Sequence, residues 1–459
     1  MNPFSKVKKI HLVGIGGSGM SGIAEVLLNM GYTVSGSDIK DSDVIARLKK
    51  LGANIFIGHK KENINSADVV VYSSAVNKNN PEIKEAQRKN IQVISRVEML
   101  AEIARMKYTI SVCGTHGKTT TTSMMGLLLK KCGLDPTIVV GGKFKNINSH
   151  ARLGKGKFIV VEADESDGSF LKLSPYVVIC TNIDNDHLDY YKNLNFLKES
   201  FLNHFNSVPF YGFNILYGED KNIKSLLGFI KRKYYTYGLS FKNDFYAKDI
   251  KINENFSSFK AFYKEKFLGS IKLKVLGVHN VLNALAVISY GVLCDINFSN
   301  IKLALEEFLG VERRLEFKGK IKINSKQIEI YDDYGHHPTE IYYTLSALQK
   351  KIKNKKIVIL FQPHRYTRTK LLYKEFYKGF NKNHKIFILD IYPANEKPIK
   401  GVSSLLIYND LKSRGYDVEK YDEKKFLKFI ESYNEEFVIL TLGAGNVYKI
   451  SEWLIEKYG

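Results

Sequence analysis

Short apolar, β-branched runs that break at glycine and pass into 3.6-period stretches recur along the whole chain. The first series reads KIHLV, the turn GIGGSG, a helical stretch ending at Gly31, TVSGSDIK, a helix around Asp43 to Leu51, NIFIG, ADVVVYSSAV and a short helix running into IQVISRVEML. Strands alternating with helices predict a parallel sheet flanked by helices, a Rossmann-like unit. A second series opens at Tyr108 with YTISVC, then KFIVVEADESD and YVVICTNIDNDHLD. From Lys233 to Leu276 the period shortens to two in segments such as SSFKAFYKEKF and GSIKLKV, which predicts a small antiparallel annex. VLGVHNVLNALAVISYGVL returns to helix, and after Gly310 a third series carries the strands IEIYDDY, KIVILFQP, KIFILDIYP and EFVILTLGA.

A chain of 459 residues exceeds one ordinary core and suggests three domains of roughly 150 residues each. The pattern divides into an N-terminal Rossmann-like domain (1–107), a central P-loop ATPase-type α/β domain with the annex (108–309) and a C-terminal Rossmann-like domain (310–459). No internal repeat at solenoid period and no low-complexity linker interrupts it. Hydrophobic content of 44% provides for a sizeable core, yet no apolar run approaches the ~18 residues of a membrane span. The N-terminus enters a strand without a signal peptide's apolar region, so a cytoplasmic protein without membrane insertion is expected. Cys113, Cys132, Cys180 and Cys294 are scattered, which argues against a zinc site or a disulfide framework. The net charge of +22 comes from lysines spread over the whole length, with no arginine stripe or recognition-helix pattern; no nucleic-acid partner is expected.

The sharpest chemical signal lies between the strand YTISVC and the helix that follows it. Gly114-Thr115-His116-Gly117-Lys118-Thr119 is a phosphate-binding loop: glycines let backbone N–H groups close on phosphate oxygens, and the helix N-terminus adds its positive dipole end. Lys118 supplies a point charge, and Thr119 a hydroxyl suited to Mg²⁺. Val112 stands where the common eight-residue motif has glycine, so the loop is a shortened variant. Glu162, Asp164, Glu165 and Asp167 crowd the next strand end, where they repel unless a cation offsets them. Glu162 is the expected metal ligand, with His187 placed to join it after the following strand.

Gly14, Gly16, Gly17, Gly19 and Gly22 follow the first strand, and Asp38 ends the second, as in a dinucleotide-binding fingerprint. The pattern suits NAD and equally the diphosphate of a nucleotide-sugar. His59 and Ser73-Ser74 also follow strands. Asn280 and Asn283 lie at i and i+3 of one helix, where amides can contact a ligand; capping competes for Asn280. Arg313 and Arg314, then Asp332 to Pro338, then His364, Arg365 and Arg368 gather Arg and His at two strand ends, an anion-recognising rim.

GIGGSGMSG, GTHGKTTTT, EADESDGSFL, TNIDNDHLD, GVHNVLNALA, ERRLEF, DDYGHHPTE, FQPHRYTRT, DIYPANEKPIKG and GAGNVYKI, in this order from Val13 to Ile450, resemble the Mur ligases. The resemblance implies a domain holding a UDP-sugar, a central ATPase domain and a third that closes over an amino acid. It implies joining L-alanine to the lactyl carboxylate of UDP-N-acetylmuramate with ATP and Mg²⁺; a monomer or weak dimer is expected. Carried over by position, Gly16, Gly17, Ser18, Gly19, Met20 and Ser21 would cradle the diphosphate, with Asp38, His59 and Ser73 on the same ligand. Gly114, Thr115, His116, Gly117, Lys118, Thr119 and Thr120 would hold ATP with Asn280, Asn283, Arg314 and Asp333. Thr119, Glu162 and His187 would hold metal, and Tyr334, His336, Arg365 and Arg368 would form the alanine pocket. Lys118, Glu162, His187 and His336 would carry catalysis, with either histidine a candidate base for the amine. Asn395 stands where the family commonly has glycine, and asparagine tolerates left-handed backbone. A sibling that adds a whole peptide, an NAD-dependent oxidoreductase and a nucleic-acid-binding ATPase are the rival readings.

Overall fold

The computed structural model describes residues 7–64, 66–73, 75–147, 149–324, 326–353, 355–433 and 435–459. They form two compact units, one of residues 1–248, 261–269 and 282–309, the other of residues 249–260, 270–281 and 310–459.

The first unit contains a five-stranded parallel sheet in the order Asn54–Ile57, Thr33–Asp38, Lys9–Val13, Val69–Tyr72, Gln92–Ser95. Helices Ser18–Asn29, Asp43–Lys50, Pro81–Arg88 and Arg96–Arg105 connect it, and their starts are written in the sequence. Ser42 accepts from Ile45 N, Asn80 precedes a proline at the first helical position, and Ser95 with Glu98 forms a capping box. Strand order reverses beside Lys9–Val13, so the glycine loop leaves the sheet at a topological switch point, where open α/β sheets bind ligands.

A larger sheet of the same unit runs Tyr234–Gly238, Phe213–Tyr217, Val177–Cys180, Tyr108–Cys113, Phe158–Glu162, Thr137–Phe144, Ser149–Arg152. All neighbours are parallel except the last hairpin. The annex expected from Lys233 therefore begins later: Tyr234–Gly238 is a parallel strand, as is its pairing with the start of Phe245–Ile252. Antiparallel pairing sets in along Phe245–Ile252 and Ser257–Tyr263, where Phe245 stacks on Tyr263 and Tyr246 on Phe262, the register descending as the number rises. His204 lies fully buried in this unit, its Nε2 2.9 Å from Ser111 Oγ and its ring 4.8 Å from that of Phe170.

The second unit holds a six-stranded sheet in the order Glu316–Ile323, Lys326–Asp333, Phe437–Leu442, Lys356–Phe361, Lys385–Ile388, Asp417–Lys420, parallel but for its first hairpin. Ile357, Ile359 and Phe361 belong to one core, Val358 and Leu360 to another, so both faces are covered and the strand reads as an unbroken apolar run. Among the described residues no helix is long and apolar enough to cross a membrane.

Burial lowers the His204 imidazole to about 3, and those of His279 and His384 to about 4. Each stays neutral when folded and takes a proton when unfolded below about pH 6.5, so stability falls as pH drops from 6.5 towards 4. Each histidine is expected to withdraw about 2 kcal/mol at pH 5. Urea midpoints between pH 7 and pH 5 test this: His384→Gln should flatten the slope by one proton, and an unchanged slope would refute it.

Candidate active site

The strand Tyr108–Cys113 is buried from Thr109 onward and delivers the chain to Gly114 at φ +123°. A methyl group there would run into Thr181 Oγ1 and lie 2.8 Å from the Asn182 carbonyl oxygen. Gly117, at φ +84°, precedes the helix Lys118–Lys131, and a side chain on it would approach Asn283 Oδ1 to 2.7 Å. Both positions thus need glycine for backbone angle and for room. Residues after the neighbouring strand brace the loop. Asn182 accepts from Thr115 N (3.1 Å) through its carbonyl and from His116 N (2.9 Å) through Oδ1, and Asp184 N donates to Thr115 Oγ1 (2.8 Å). Gly114→Ala should abolish nucleotide binding while the chain stays folded, to be read by nucleotide titration alongside circular dichroism.

Lys118 Nζ lies 2.9 and 3.0 Å from the two carboxylate oxygens of Glu165 and donates to the Gly114 carbonyl at 2.7 Å. Burial alone would lower the Lys118 ammonium, but Glu165, Asp164 and Glu162 outweigh it, and its pKa ends raised. Thr119 Oγ1 donates to Glu162 Oε1 at 2.8 Å, and Gly141 N to Glu162 Oε2 at 2.6 Å. His187 Nε2 is 4.0 Å from Glu165 and 3.7 Å from Asp186. Ligand atoms of Asp164, Glu165 and His187 all lie within 4.8 Å of one another. The crowded carboxylates thus divide: Glu162 sits on Thr119, while the fully buried Glu165 sits on Lys118. Sequence reasoning counted Glu165 among four crowded carboxylates without pairing it to Lys118, and missed Asn182 and Asp184. The signal for Glu165 was the charge balance itself, since four acids beside one lysine call for a direct pair.

At the other sheet, Gly14 takes φ +79°, and Gly14 N and Ile15 N donate to the Ser37 carbonyl at 2.8 and 3.1 Å. Asp38 Oδ2 accepts from Gly16 N at 2.9 Å and Oδ1 from Ile39 N at 2.8 Å, so this carboxylate ties the loop together. Met20 and Ser21 are buried in the first helical turn, and the Ser18 side chain lies outside the described residues, as does Ser74. Ser73 Oγ receives Ala75 N at 3.4 Å, and His59 follows the strand Asn54–Ile57. The Arg96 guanidinium packs against Gly19, where a Cβ would come within 2.7 Å of it. A cation at the start of a helix that follows a glycine loop suits an anion, and the isolated Arg96 in VISRVEML offered no pattern by which to find it.

In the second unit Asp333, ending its strand, accepts Leu315 N (2.6 Å) and Gly335 N (2.7 Å), and burial against the pull of Arg314 raises it to about 6. Arg314 Nη1 lies 3.4 Å from Glu340 Oε1, and its guanidinium 5.4 Å from the Tyr334 ring. The Tyr334, His336 and His364 rings follow one another at 5.6 and 5.2 Å, and Arg368 Nη1 lies 3.0 Å from His364 Nδ1. Arg365, at φ +70°, donates its N–H to Tyr392 O, and its Nε is 3.9 Å from Glu396. Glu396 also accepts from Thr367, so the loop Tyr392–Glu396 supports the arginine helix. Asn395 within it takes φ +69°, the left-handed backbone expected of it. Asn280 Nδ2 donates to the Leu276 carbonyl at 2.8 Å, one turn back along the chain.

This fold and these loops match three family models in chain order: Mur ligase family, catalytic domain, over residues 9–108; Mur ligase middle domain over 112–291; and Mur ligase, glutamate ligase domain, over 313–445. The chain belongs to the Mur ligase family. Within it, the chain is 50% identical over 452 residues to the UDP-N-acetylmuramate--L-alanine ligase of Endomicrobium trichonymphae, covering 98% of this chain and 99% of that one. It is 48% identical over 457 residues to the enzyme of the same name from Geotalea uraniireducens, with 99% of each covered. Its fold is similar to that of the UDP-N-acetylmuramate-alanine ligase of Thermotoga maritima, at TM-score 0.81, 31% identity and 98% coverage of both.

Proposed function

We propose that this chain joins L-alanine to the lactyl carboxylate of UDP-N-acetylmuramate at the expense of ATP, giving ADP and phosphate, in cytoplasmic peptidoglycan precursor synthesis. The observation that carries the reading is end-to-end identity, 50% over 452 residues, with a relative named for this reaction. In it, residues 1–107 hold the UDP-sugar, 108–309 the ATP and 310–459 the amino acid.

The glycine loop from Gly16 to Ser21, with Arg96 beside Gly19, takes the UDP-sugar diphosphate. The loop from Gly114 to Thr120, with Asn283 beside Gly117, takes the ATP phosphates, and Asn280, Arg314 and Asp333 also serve the nucleotide. Thr119, Glu162 and His187 offer two oxygen donors and an imidazole, beside the further carboxylates of Asp164 and Glu165, a set that fits a hard divalent cation. Mg²⁺ held there would supply charge neutralisation to phosphate oxygens.

The muramyl carboxylate oxygen attacks the γ-phosphorus, the bond to the β-bridging oxygen breaks, and ADP leaves as an acyl phosphate forms. Lys118 offsets charge on the equatorial oxygens. The amine of alanine, once deprotonated, attacks the acyl carbon and phosphate departs; His187 and His336 are both candidate bases. Tyr334, His336, Arg365 and Arg368 receive the amino acid, an arginine pairing with its carboxylate. Phosphate release by purified protein with ATP, Mg²⁺ and UDP-N-acetylmuramate should require L-alanine. Release only with a tripeptide would assign the chain to peptide-adding siblings, and none with either would refute the reading.

A further inference from the structure

Beneath the nucleotide-sugar sheet lies a fully buried carboxylate that the reaction above does not use. Glu82, in the first turn of the helix Pro81–Arg88, has no solvent exposure, and it gathers three other elements around itself. From the strand ending at Asp38, Ser37 Oγ donates to Glu82 Oε2 at 2.6 Å. From the first strand, His11 Nε2 stands 3.6 Å from the same oxygen. From the segment after Asn54–Ile57, Lys60 N (3.3 Å) and Asn63 Nδ2 (2.5 Å) donate to Oε1, and His59 Nδ1 lies 3.4 Å from Oε2. Burial would raise this carboxyl, but the nearby His11 ring and the hydrogen bonds from Ser37 and Asn63 prevail and hold it below the usual range. It is an ionised group, able only to accept.

That fixes the proton arrangement outward from Glu82. Ser37 has one hydroxyl hydrogen, and it goes to the carboxylate. Ser37 Oγ also lies 2.9 Å from His59 Nδ1. With its hydrogen spent, Ser37 can only accept there, so Nδ1 of His59 carries a proton, and in the ring's neutral form Nε2 is the acceptor. His59 is part-exposed, at 18% of its side chain, whereas Glu82, Ser37 and His11 are buried. It follows Gly58, whose N–H donates to the Asp38 carbonyl at 2.8 Å, and Asp38 in turn holds Gly16 of the glycine loop. The histidine therefore shares the strand-end row of that loop, with its tautomer set from below.

We infer that Glu82 is a positioning residue for nucleotide-sugar binding: acting through Ser37, it holds His59 as the Nδ1–H tautomer, so that Nε2 accepts a hydrogen bond from an N–H or O–H donor of the bound nucleotide-sugar. This rests on the UDP-sugar reading of the first sheet. A structural acid would support only folding, and any substitution of it would weaken all three substrates together. A positioning acid affects one ligand, and only while His59 is present.

The test pairs a spectroscopic readout with a double-mutant cycle on the full-length protein. Nitrogen-15 spectra of histidine-labelled protein, with His59 assigned by loss of its signals in His59→Phe, should show protonation at Nδ1; protonation at Nε2 would overturn the proposal even if no Glu82 variant folded. Glu82→Gln should raise the KM for UDP-N-acetylmuramate about tenfold, the scale of one hydrogen bond to a charged or polar partner, with kcat and the KM values for ATP and alanine within twofold. In the His59→Phe background the same substitution should add nothing. Equal rises for all three substrates, or full additivity with His59→Phe, would make Glu82 merely structural. Calorimetric titration of the unmodified protein with UDP-N-acetylmuramate separates the two levels: absence of binding would remove the UDP-sugar reading itself, whereas normal binding with an insensitive Glu82→Gln would remove only the relay.

Discussion

Lys118→Ala is expected to abolish amide formation, by about 10³-fold or more in kcat, while UDP-N-acetylmuramate still binds with near-normal affinity. The lysine meets four oxygens around the phosphate loop, the Gly114 and Thr115 carbonyls and both carboxylate oxygens of Glu165, and none of these lies at the glycine loop that follows Val13. Its removal also strips the buried Glu165 of its cation, so that carboxyl should take up a proton rather than remain charged. Lys118→Arg keeps the charge yet cannot keep the geometry, since a planar guanidinium does not fit where a compact ammonium bonds two carbonyls and a carboxylate. Phosphate-release assays and calorimetric titration on the same preparations check both parts. Near-normal turnover of Lys118→Ala would sink the assignment of the loop.

Arg365→Ala should raise the KM for L-alanine about tenfold to a hundredfold, with smaller effects on ATP and the UDP-sugar, as loss of one charge-assisted hydrogen bond to a carboxylate would do. Arg365 sits on a backbone at φ +70° whose N–H bonds the Tyr392 carbonyl, and Glu396, 3.9 Å from its Nε, takes two hydrogen bonds from Thr367. Arg368 offers a contrast, for it is buried and its guanidinium lies on His364. An equal rise for all three substrates would point instead to a fault in the unit as a whole.

Much of this was legible because glycine-rich turns and long apolar strands report local rules. Lys118–Lys131 begins where the loop ends, and the strands around Ile110, Val178, Ile359 and Ile439 are buried on both faces and so carry unbroken apolar runs. Two of the strands that escaped notice lack that signature. Glu316–Ile323 interleaves lysines with isoleucines and buries only Ile321 and Ile323, and Ser149–Arg152 has four residues of mixed character. Tyr234–Gly238 fell within the stretch read as the annex, yet pairing with Phe213–Tyr217 makes it parallel. Within the site, the motif residues could be read from spacing, but their partners could not. Glu165, Asn182, Asp184 and Arg96 act through contacts 47 to 77 positions away, which periodicity does not encode (165 − 118 = 47 and 96 − 19 = 77).

The brace beneath the phosphate loop alters how nucleotide capture is divided between heat and disorder. Thr115 and His116 have committed their N–H groups to Asn182, so these amides should exchange slowly with solvent in the nucleotide-free protein, and the opening turn of Lys118–Lys131 is left to offer N–H groups to phosphate oxygens. A loop fixed in advance surrenders little conformational freedom when phosphate arrives. Nucleotide binding should therefore be fast and nearly free of an ordering penalty at this loop, and what slow steps the enzyme has should arise elsewhere in the chain.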